Sequence, residues 1–230
     1  NIMDSSGSGL HGTLNGTYIR GVEGAYEGSK GYYFDYSGYV YVSDTTGKLA
    51  FTNSFSIAFW VKAGLQSGSY DSIYGLFDRQ HDSSHGWTSQ EWRDQDDIAL
   101  LVGMGSGSPG TTYIEISDIL DNEWHHITFT VDTSNNNVEV KSYLDGTQYS
   151  SSFYSNRTLA PSATSAPLTI GKGLGNRQFK GSLDDFEIYS GVLTTDNITS
   201  LSHTIPEPSS FILIFLALGS CIFYCKKYAL

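Results

Sequence analysis

The strongest constraint on the fold of this chain is a two-residue alternation of apolar and polar side chains that recurs in many short segments. In the segment 55–62, phenylalanine, isoleucine and valine occupy every odd position, so they share one face of a strand. Comparable alternating segments or short apolar runs occupy 39–42, 98–103, 112–116, 127–131, 138–144, 168–171 and 183–189. Turn-forming residues separate them, including the strong hairpin signal Asp145-Gly146. The pattern predicts an all-β fold, an antiparallel sandwich or barrel.

Helical signals are nearly absent before the C-terminal segment. Residues Leu193–Leu201 are compatible with one short helix that has Thr194 or Thr195 as its N-cap. Two other segments, 67–95 and 153–166, are rich in small and polar residues and predict irregular loops.

The charge of the chain argues against a nucleic-acid partner. It carries 24 acidic and 13 basic residues, a net charge of −11 at pH 7. Without the C-terminal Glu207, Lys226 and Lys227, 23 acidic and 11 basic residues remain, a net charge of −12. Nucleic-acid binding requires clustered lysine and arginine, whereas an acidic chain suits divalent cations and an exported surface protein. The two cysteines, Cys221 and Cys225, lie in the apolar C-terminal run, so no disulfide framework stabilises the rest.

The last 25 residues form a segment unlike the rest of the chain. An apolar run, 211–225, is broken only by one Gly-Ser pair and is followed by Lys226-Lys227. As a helix it would measure about 22 Å, so a thin or tilted insertion into the roughly 30 Å hydrocarbon core is feasible. The lysines mark the cytoplasmic end and leave the remainder on the far side of the membrane. We therefore predict a β domain over residues 1–204 and a transmembrane anchor over residues 205–230.

Pro206, Glu207 and Pro208 stand directly before this apolar run. A Pro-Glu-Pro triplet, a short apolar helix and a basic end resemble the PEP-CTERM sorting signal of Gram-negative bacteria, although Lys226 and Lys227 replace the usual arginine cluster. The resemblance implies export, processing by an exosortase-type membrane protease and a place at the cell surface or in the extracellular matrix. The alternative is a plain single-span anchor behind a proline-bounded linker. Because export needs a signal peptide and the chain opens without one, we expect the native N-terminus to lie upstream.

Three regions of the β domain resemble the laminin-G-like domains of the concanavalin A-type lectin/glucanase class. Phe51–Lys62 is similar to an early strand of these domains. Asn122–Asp132, followed by Leu144-Asp145-Gly146, is close to their Trp-His-His strand. Leu168–Gly171 and Phe179–Tyr189 resemble the closing strand region. The resemblance covers nearly the whole β domain and implies a jelly-roll sandwich of two antiparallel sheets.

Asp4 and Asp184 are candidate metal ligands. By alternation, Asp184 shares a strand face with Phe186 and Ile188, where an ionised carboxylate near the core needs hydrogen bonds or a cation. Laminin-G-like domains often hold a structural Ca²⁺ near their first and last strands, and Ca²⁺ prefers such oxygen ligands. The resemblance therefore implies a structural Ca²⁺ site at Asp4 and Asp184. The alternative is that Asp184 only accepts hydrogen bonds from backbone N–H groups.

The adjacent His125 and His126 resemble a metal-binding pair. Neighbouring residues of a strand point to opposite faces, however, so the two imidazoles cannot easily share one ion. We interpret them as a packing signature of the family that the chain resembles.

The segment 67–95 is the most suggestive region for ligand binding. Exposed aromatic rings can stack on sugars while charged and amide groups bond hydroxyls, and rigid sandwiches place recognition on their loops. Six residues are the candidates: Tyr70, Tyr74, Trp87, Trp92, Arg93 and Asp94. The alternative is a solvated insertion whose tryptophans fold onto the domain.

Catalysis is not expected. Laminarinase-type members of the class that the chain resembles carry the pattern Glu-x-Asp-x-x-Glu on one strand. The nearest window here is 182–187, in which Ser182 replaces the first glutamate, whereas retaining glycosidases need two carboxyl groups roughly 5–5.5 Å apart. We therefore predict a non-catalytic binding or adhesion module for polysaccharide or a surface protein. The alternatives are a polysaccharide-degrading enzyme and a purely structural matrix component.

Overall fold

The structure is a computed structural model that describes residues 2–64, 75–79, 82, 84–91, 97–105 and 108–203. Within these residues the chain forms fourteen β-strands and one α-helix. The strands are β1 Gly12–Asn15, β2 Tyr18–Glu23, β3 Lys30–Asp35, β4 Tyr39–Val42, β5 Phe55–Gly64, β6 Gly75–Arg79, β7 Trp87–Glu91, β8 Asp97–Val102, β9 Gly110–Glu115, β10 Asp121–Asp132, β11 Val138–Leu144, β12 Thr147–Tyr154, β13 Leu168–Ile170 and β14 Lys180–Ser190. The helix is α1 Thr195–Ser202.

The strands form two sheets of seven strands each. The first sheet has the order β1-β4-β13-β6-β7-β8-β9, and the second has the order β12-β11-β10-β5-β14-β3-β2. Neighbouring strands are antiparallel, and many neighbours in space are distant in sequence. The sheets pack face to face around one apolar core. The alternation predicts a sandwich or a barrel, and the structure is the jelly-roll-like sandwich that the family resemblance implies.

Aromatic rings from both sheets meet at the centre of this core. The ring of Phe77 in the first sheet lies 5.9 Å from Phe59, 6.4 Å from Phe129 and 5.5 Å from Phe186 in the second sheet, measured between centroids. The three interplanar angles exceed 70°, so the contacts are edge-to-face, an arrangement that the aromatic quadrupole favours. These contacts link the first sheet to three strands of the second sheet at the centre of the core.

The prediction of an irregular loop over residues 67–95 is partly wrong, because this segment contains strands β6 and β7. Leu76, Phe77 and Trp87 point into the core there, with 3% of their surface or less exposed. Each strand has only five residues and lies among glycines and serines, so its alternation is too short to stand out in the sequence.

The predicted helix is confirmed as α1. Thr194 is its N-cap, and its hydroxyl accepts a hydrogen bond from the Asn197 N–H at 3.2 Å. Ile198 and Leu201 anchor the helix by burial. No helix among residues 2–203 with the gaps given above is long and apolar enough to cross a membrane. The segment 204–230, with the predicted sorting signal, lies outside the described residues.

A fully buried ion pair joins the first sheet to a long loop. The Arg79 guanidinium at the end of β6 lies 3.1 Å from the Asp44 carboxylate, and neither side chain is exposed. Asp44 also accepts hydrogen bonds from the N–H groups of Lys48 and Leu49, and Arg79 donates to the Ser162 hydroxyl at 2.8 Å. Burial raises the pKa of Asp44, but these hydrogen bonds outweigh it and hold that pKa below its usual range.

The histidine pair lies on opposite faces of β10, as expected. His125 bridges two carboxylates, with Nδ1 2.9 Å from Asp145 and Nε2 3.1 Å from Asp121. The hydrogen bond to Asp145 is the main reason that the pKa of His125 is raised. His126 is buried edge-on against Trp60 at 5.0 Å, and this burial lowers its pKa to about 4.

Truncation of one member of the buried ion pair should destabilise the domain strongly. Arg79→Met leaves the Asp44 charge buried without its partner, which costs about 3–5 kcal/mol in unfolding free energy. Urea unfolding at pH 7 measures this loss. The matched control is Lys141→Gln, because Lys141 forms a 2.9 Å ion pair with Glu139 that is partly exposed and contributes at most about 1 kcal/mol. Equal losses in the two variants would contradict the structural role of the Arg79 pair.

Buried His126 should make the domain sensitive to mild acid. Its pKa falls from 6.5 in the unfolded chain to about 4 in the folded one, so stability is complete above pH 6.5 and falls as the pH approaches 4. The expected loss is about 3 kcal/mol across that window. His126→Phe should remove this loss in urea titrations between pH 7 and 4.

His125 serves as a control, because its contribution to stability changes with pH in the opposite direction to that of His126. Its pKa is raised in the folded state, so it contributes stability below pH 6.5 that disappears as the pH rises through the folded pKa. His125→Gln should therefore weaken the protein most at low pH. An acid profile that His126→Phe leaves unchanged would refute the assignment to His126.

Candidate functional site

The outer face of the second sheet, which points away from the first sheet, carries a row of aromatic and polar residues. Tyr33 on β3 is paired with Ser182 on β14, Ser182 with Lys62 on β5, and Lys62 with Trp124 on β10. Neighbouring strands lie about 4.8 Å apart, so this cross-strand row is about 14 Å long. All four side chains are partly exposed. The cross-strand row therefore places an aromatic residue at each end and a hydroxyl and an ammonium between them.

A polar pocket of about 410 Å³ opens beside the cross-strand row. Its polar and charged lining residues are Tyr33, Lys62, Asp121, Asn122, Lys180 and Ser182. Gly181 allows the backbone to approach here, because a Cβ at this position would lie 2.5 Å from the Lys62 carbonyl oxygen. Asn122 lines the pocket from a bulge in β10, with a left-handed φ of 65° that asparagine tolerates.

The two lysines of the polar pocket differ in their surroundings. The Lys180 ammonium lies 3.5 Å from the Asp35 carboxylate and 5.1 Å from the ring centroid of Tyr36. Lys62 forms no ion pair with any carboxylate of the described residues. Lys62 therefore contributes an ammonium group that forms no direct ion pair within that part of the chain.

The acidic residue of the polar pocket is already engaged. Asp121 accepts a hydrogen bond from the Glu123 N–H at 2.8 Å and contacts His125 at 3.1 Å. Its partial burial raises its pKa, but these hydrogen bonds bring the pKa below the ordinary value, so Asp121 stays ionised against His125. Its charge is directed to the histidine.

Trp124 lies across the outer face. A Cβ at Gly31 on β3 would lie 3.4 Å from the end of the Trp124 ring and 3.6 Å from the Asp184 Cβ. Glycine at position 31 thus leaves space for the indole on the sheet surface. The neighbouring cross-strand set, Asp184, Trp60 and His126, is buried beneath it.

A bulge in β14 corrects the predicted orientation of Asp184. The register of β14 on β5 shifts between Asp184 and Glu187, and Asp185 has a left-handed φ of 41°. Asp184 is therefore paired with Trp60 on the outer face, whereas Ile188 is paired with Ile57 in the core. The expectation that Asp184 shares a face with Phe186 and Ile188 is wrong, because strict alternation does not continue through a bulge.

Asp4 and Asp184 line one cleft of about 330 Å³ between the two sheets. Asp184 accepts hydrogen bonds from the N–H groups of Ala25 at 3.1 Å and Asp185 at 3.0 Å. Asp4 accepts them from the N–H groups of Ser6 at 2.8 Å and Leu10 at 3.0 Å. Both carboxylates therefore have backbone N–H partners, as in the alternative to a cation for Asp184. The described portion of the chain contains no group of three or more His, Cys, Asp or Glu side chains arranged to hold a metal. Ca²⁺ binding at Asp4 and Asp184 stays a prediction.

Trp87 is not the exposed stacking ring that the sequence suggested. Only 3% of it is exposed, its ring lies 5.8 Å from Phe55, and its indole N–H donates to the Leu49 carbonyl at 3.2 Å. The ring therefore packs in the core, as in the alternative of tryptophans that fold onto the domain. The other five predicted ligand residues lie outside the described residues: Tyr70, Tyr74, Trp92, Arg93 and Asp94.

Sequence reasoning did not single out the cross-strand row. Trp60 and Lys62 stand on the polar side of the β5 alternation, which indicates a tryptophan and a lysine on one outer face. The pairing with Tyr33, Ser182 and Trp124 could not be read in the same way, because it joins strands up to 150 residues apart in the chain.

Solved structures with the same fold include several binding domains. One is domain 4 of AbnA, a GH43 extracellular arabinanase from Geobacillus stearothermophilus, which was solved in complex with arabinotriose. It is 22% identical in sequence and has a TM-score of 0.63, and the match covers 88% of this chain and 93% of that one. The binding domain of Paraclostridial Mosquitocidal Protein 1 is 17% identical, with a TM-score of 0.66 and coverage of 87% and 50%. The binding domain of Botulinum Neurotoxin DC in complex with SialylT is 18% identical, with a TM-score of 0.63 and coverage of 87% and 48%. The chain therefore spans about half of each toxin domain.

No curated protein matches the sequence significantly. A laminin-G family model does match residues 34–199, which is well over half of the chain and includes most strands of both sheets. That match agrees with the sandwich topology described above. The chain belongs to the concanavalin A-like lectin/glucanases superfamily.

Proposed function

We propose that this domain is a non-catalytic carbohydrate-binding module and that it binds its ligand on the cross-strand row and in the polar pocket beside it. The observation that carries the proposal is the row itself. Tyr33 and Trp124 stand at its ends, and Ser182 and Lys62 lie between them on adjacent strands. The Cα atoms of the row span about 14 Å across four strands, and the Trp124 ring reaches from its end over the sheet toward Gly31 on β3.

The chemistry of the row suits a sugar. Aromatic rings offer flat apolar surfaces on which sugar rings stack, and a few placed polar groups fix the orientation of the ligand. Asn122 and Ser182 supply amide and hydroxyl groups for sugar hydroxyls. These residues lie on strands or at a strand bulge of a rigid sandwich, so little conformational freedom is lost when a ligand binds.

The comparisons support the proposal at the level of the fold. The arabinanase domain was solved with arabinotriose, and one neurotoxin binding domain was solved with SialylT. The same neurotoxin binding domain was also solved with rat synaptotagmin II, so a surface protein is the second candidate for a partner of this chain.

The proposal of a binding module without catalysis rests on strand β14. The bulge brings Ser182, Asp184 and Glu187 to the outer face, because their partners on β5 are Lys62, Trp60 and Ala58. In the laminarinase-like pattern the first of these positions carries a glutamate, and here it carries serine. A retaining mechanism requires two carboxyl groups at close range. Asp184 is bound to two backbone N–H groups, and Glu187 accepts a hydrogen bond from the Tyr189 hydroxyl.

We also propose that the module is exported and held at the bacterial surface by its C-terminal segment. Pro206, Glu207 and Pro208 before the apolar run, and Lys226 and Lys227 after it, support sorting by a PEP-CTERM-type signal and processing by an exosortase-type protease. Mass spectrometry of the protein from a host with and without its exosortase tests this. A tail that is retained in both hosts would favour the plain single-span anchor.

Carbohydrate binding should depend on the aromatic ends of the cross-strand row. In a glycan-array screen of the full chain in a non-ionic detergent, Trp124→Ala should weaken the best signal about tenfold or more, because the loss of an aromatic contact costs roughly 1–3 kcal/mol. Tyr33→Ala should act in the same direction. The screen is repeated with calcium and with chelator, and a loss of binding in chelator alone would support the Ca²⁺ prediction.

The matched control is Tyr113→Ala. Tyr113 is 45% exposed on β9 of the first sheet, so its removal should leave glycan binding unchanged. Each variant is checked for the thermal midpoint of the parent. Glycan binding that survives both Tyr33→Ala and Trp124→Ala would place recognition elsewhere on the protein. An array without any signal would leave a surface protein as the partner.

A further inference from the structure

We infer that the ligand of the cross-strand row is an acidic polysaccharide, with a carboxylate or sulfate group bound between Lys62 and Lys180. This inference rests on the proposed function and adds the chemical class of the ligand. Both lysines line the polar pocket. Ser182 is paired with Lys62 across two strands and is two residues from Lys180 on β14.

The position of Lys62 carries the inference. It lies on β5, the central strand of the second sheet, and is flanked by Ser182 on one side and Trp124 on the other. Its side chain is partly exposed and has no carboxylate partner among the described residues. An ammonium that is partly withdrawn from water gains most from an anion that replaces the lost hydration.

Lys180 extends the positive region toward β3. Its ammonium is 3.5 Å from Asp35, but Asp35 is exposed and the contact is longer than a direct hydrogen bond. It also lies over the Tyr36 ring. An anionic group of a ligand can therefore replace the Asp35 carboxylate as the partner of the Lys180 ammonium at a small cost in free energy.

The nearby carboxylates Asp121 and Asp184 are bound to groups other than the two lysines. Asp121 is bound to His125, which also contacts Asp145 and whose raised pKa favours its positive form. Asp184 is buried and bound to the backbone N–H groups of Ala25 and Asp185. The charged groups of the polar pocket are thus the two ammonium groups and the His125-bound Asp121, with Asp35 at the edge.

The charge of the whole chain makes this local arrangement informative. At a net charge of −11 the protein repels polyanions at long range, so Lys62 and Lys180 are not part of a generally basic surface. Binding of an acidic polymer must come from short contacts in the polar pocket, which salt screens less than exposed charges. A neutral sugar would use the hydroxyl and amide groups but would leave the Lys62 ammonium without a partner.

Two matched pairs of polymers test the inference. The full chain in non-ionic detergent is titrated with polygalacturonate and with its methyl ester, which has the same backbone without the charge. Dextran sulfate and dextran form the second pair. We expect at least tenfold tighter binding of the charged member of one pair, and the pair that responds identifies the group as carboxylate or sulfate.

Variants then assign the charge to the pocket. Lys62→Gln should weaken binding of the preferred charged polymer about ten- to hundredfold, since a hydrogen bond to a charged group contributes that much, while Lys62→Arg should retain most of it. Lys180→Gln should give a smaller loss in the same direction. Lys141→Gln is the control, because Lys141 is on the outer face of the same sheet but is paired with Glu139.

Each outcome decides between the two proposals. Equal binding of charged and neutral polymers, lost in Trp124→Ala but not in Lys62→Gln, would overturn the inference and leave the carbohydrate-binding function intact. Charged binding that Lys141→Gln weakens as much as Lys62→Gln would overturn it as non-specific. If none of the four polymers binds and no glycan gives a signal in the array, both proposals fail.

Discussion

The structure depends most on the strict alternation of β5. Its odd positions, Phe55 to Val61, fill the core between the sheets, and its even positions, Ser56 to Lys62, form the centre of the outer face. A slip of one residue against β10 or β14 would exchange the two sets, exposing the aromatic core and burying the Lys62 charge. The energy of the core thus fixes the register of the candidate site, and the edge-to-face contacts of Phe59 and Phe77 contribute directly to the placement of Lys62.

The bulge of β14 then decides which groups reach that face. Without the extra residue, Asp184 and Ile188 would lie on the same side of the strand; with it, Asp184 faces outward and Ile188 stays in the core. The bulge therefore satisfies two demands at once, a continuous apolar interior and a row of polar groups outside. Gly181 and Gly31 complete this arrangement, because one permits close approach of β14 to β5 and the other leaves space for Trp124.

Several of the acidic residues of the chain have specific partners in the structure. Asp44 is buried with Arg79, Asp121 and Asp145 are directed at His125, and Asp184 binds backbone amides. Their hydrogen bonds hold loops and strand ends in place. Lys62 and Lys180 place two ammonium groups at the polar pocket, although the net charge of the chain is −11.

The sequence by itself determined the fold class, because apolar alternation is local and each strand reports its buried face through its own residues. It predicted β4, β11, α1 with a cap at Thr194 or Thr195, and the opposite faces of His125 and His126. Only the tertiary structure decided that Trp87 is a core residue, that Asp184 faces outward, and that Tyr33, Ser182, Lys62 and Trp124 form one row. The physical reason is that bulges and long-range strand pairing depend on contacts between distant parts of the chain, which no local period records.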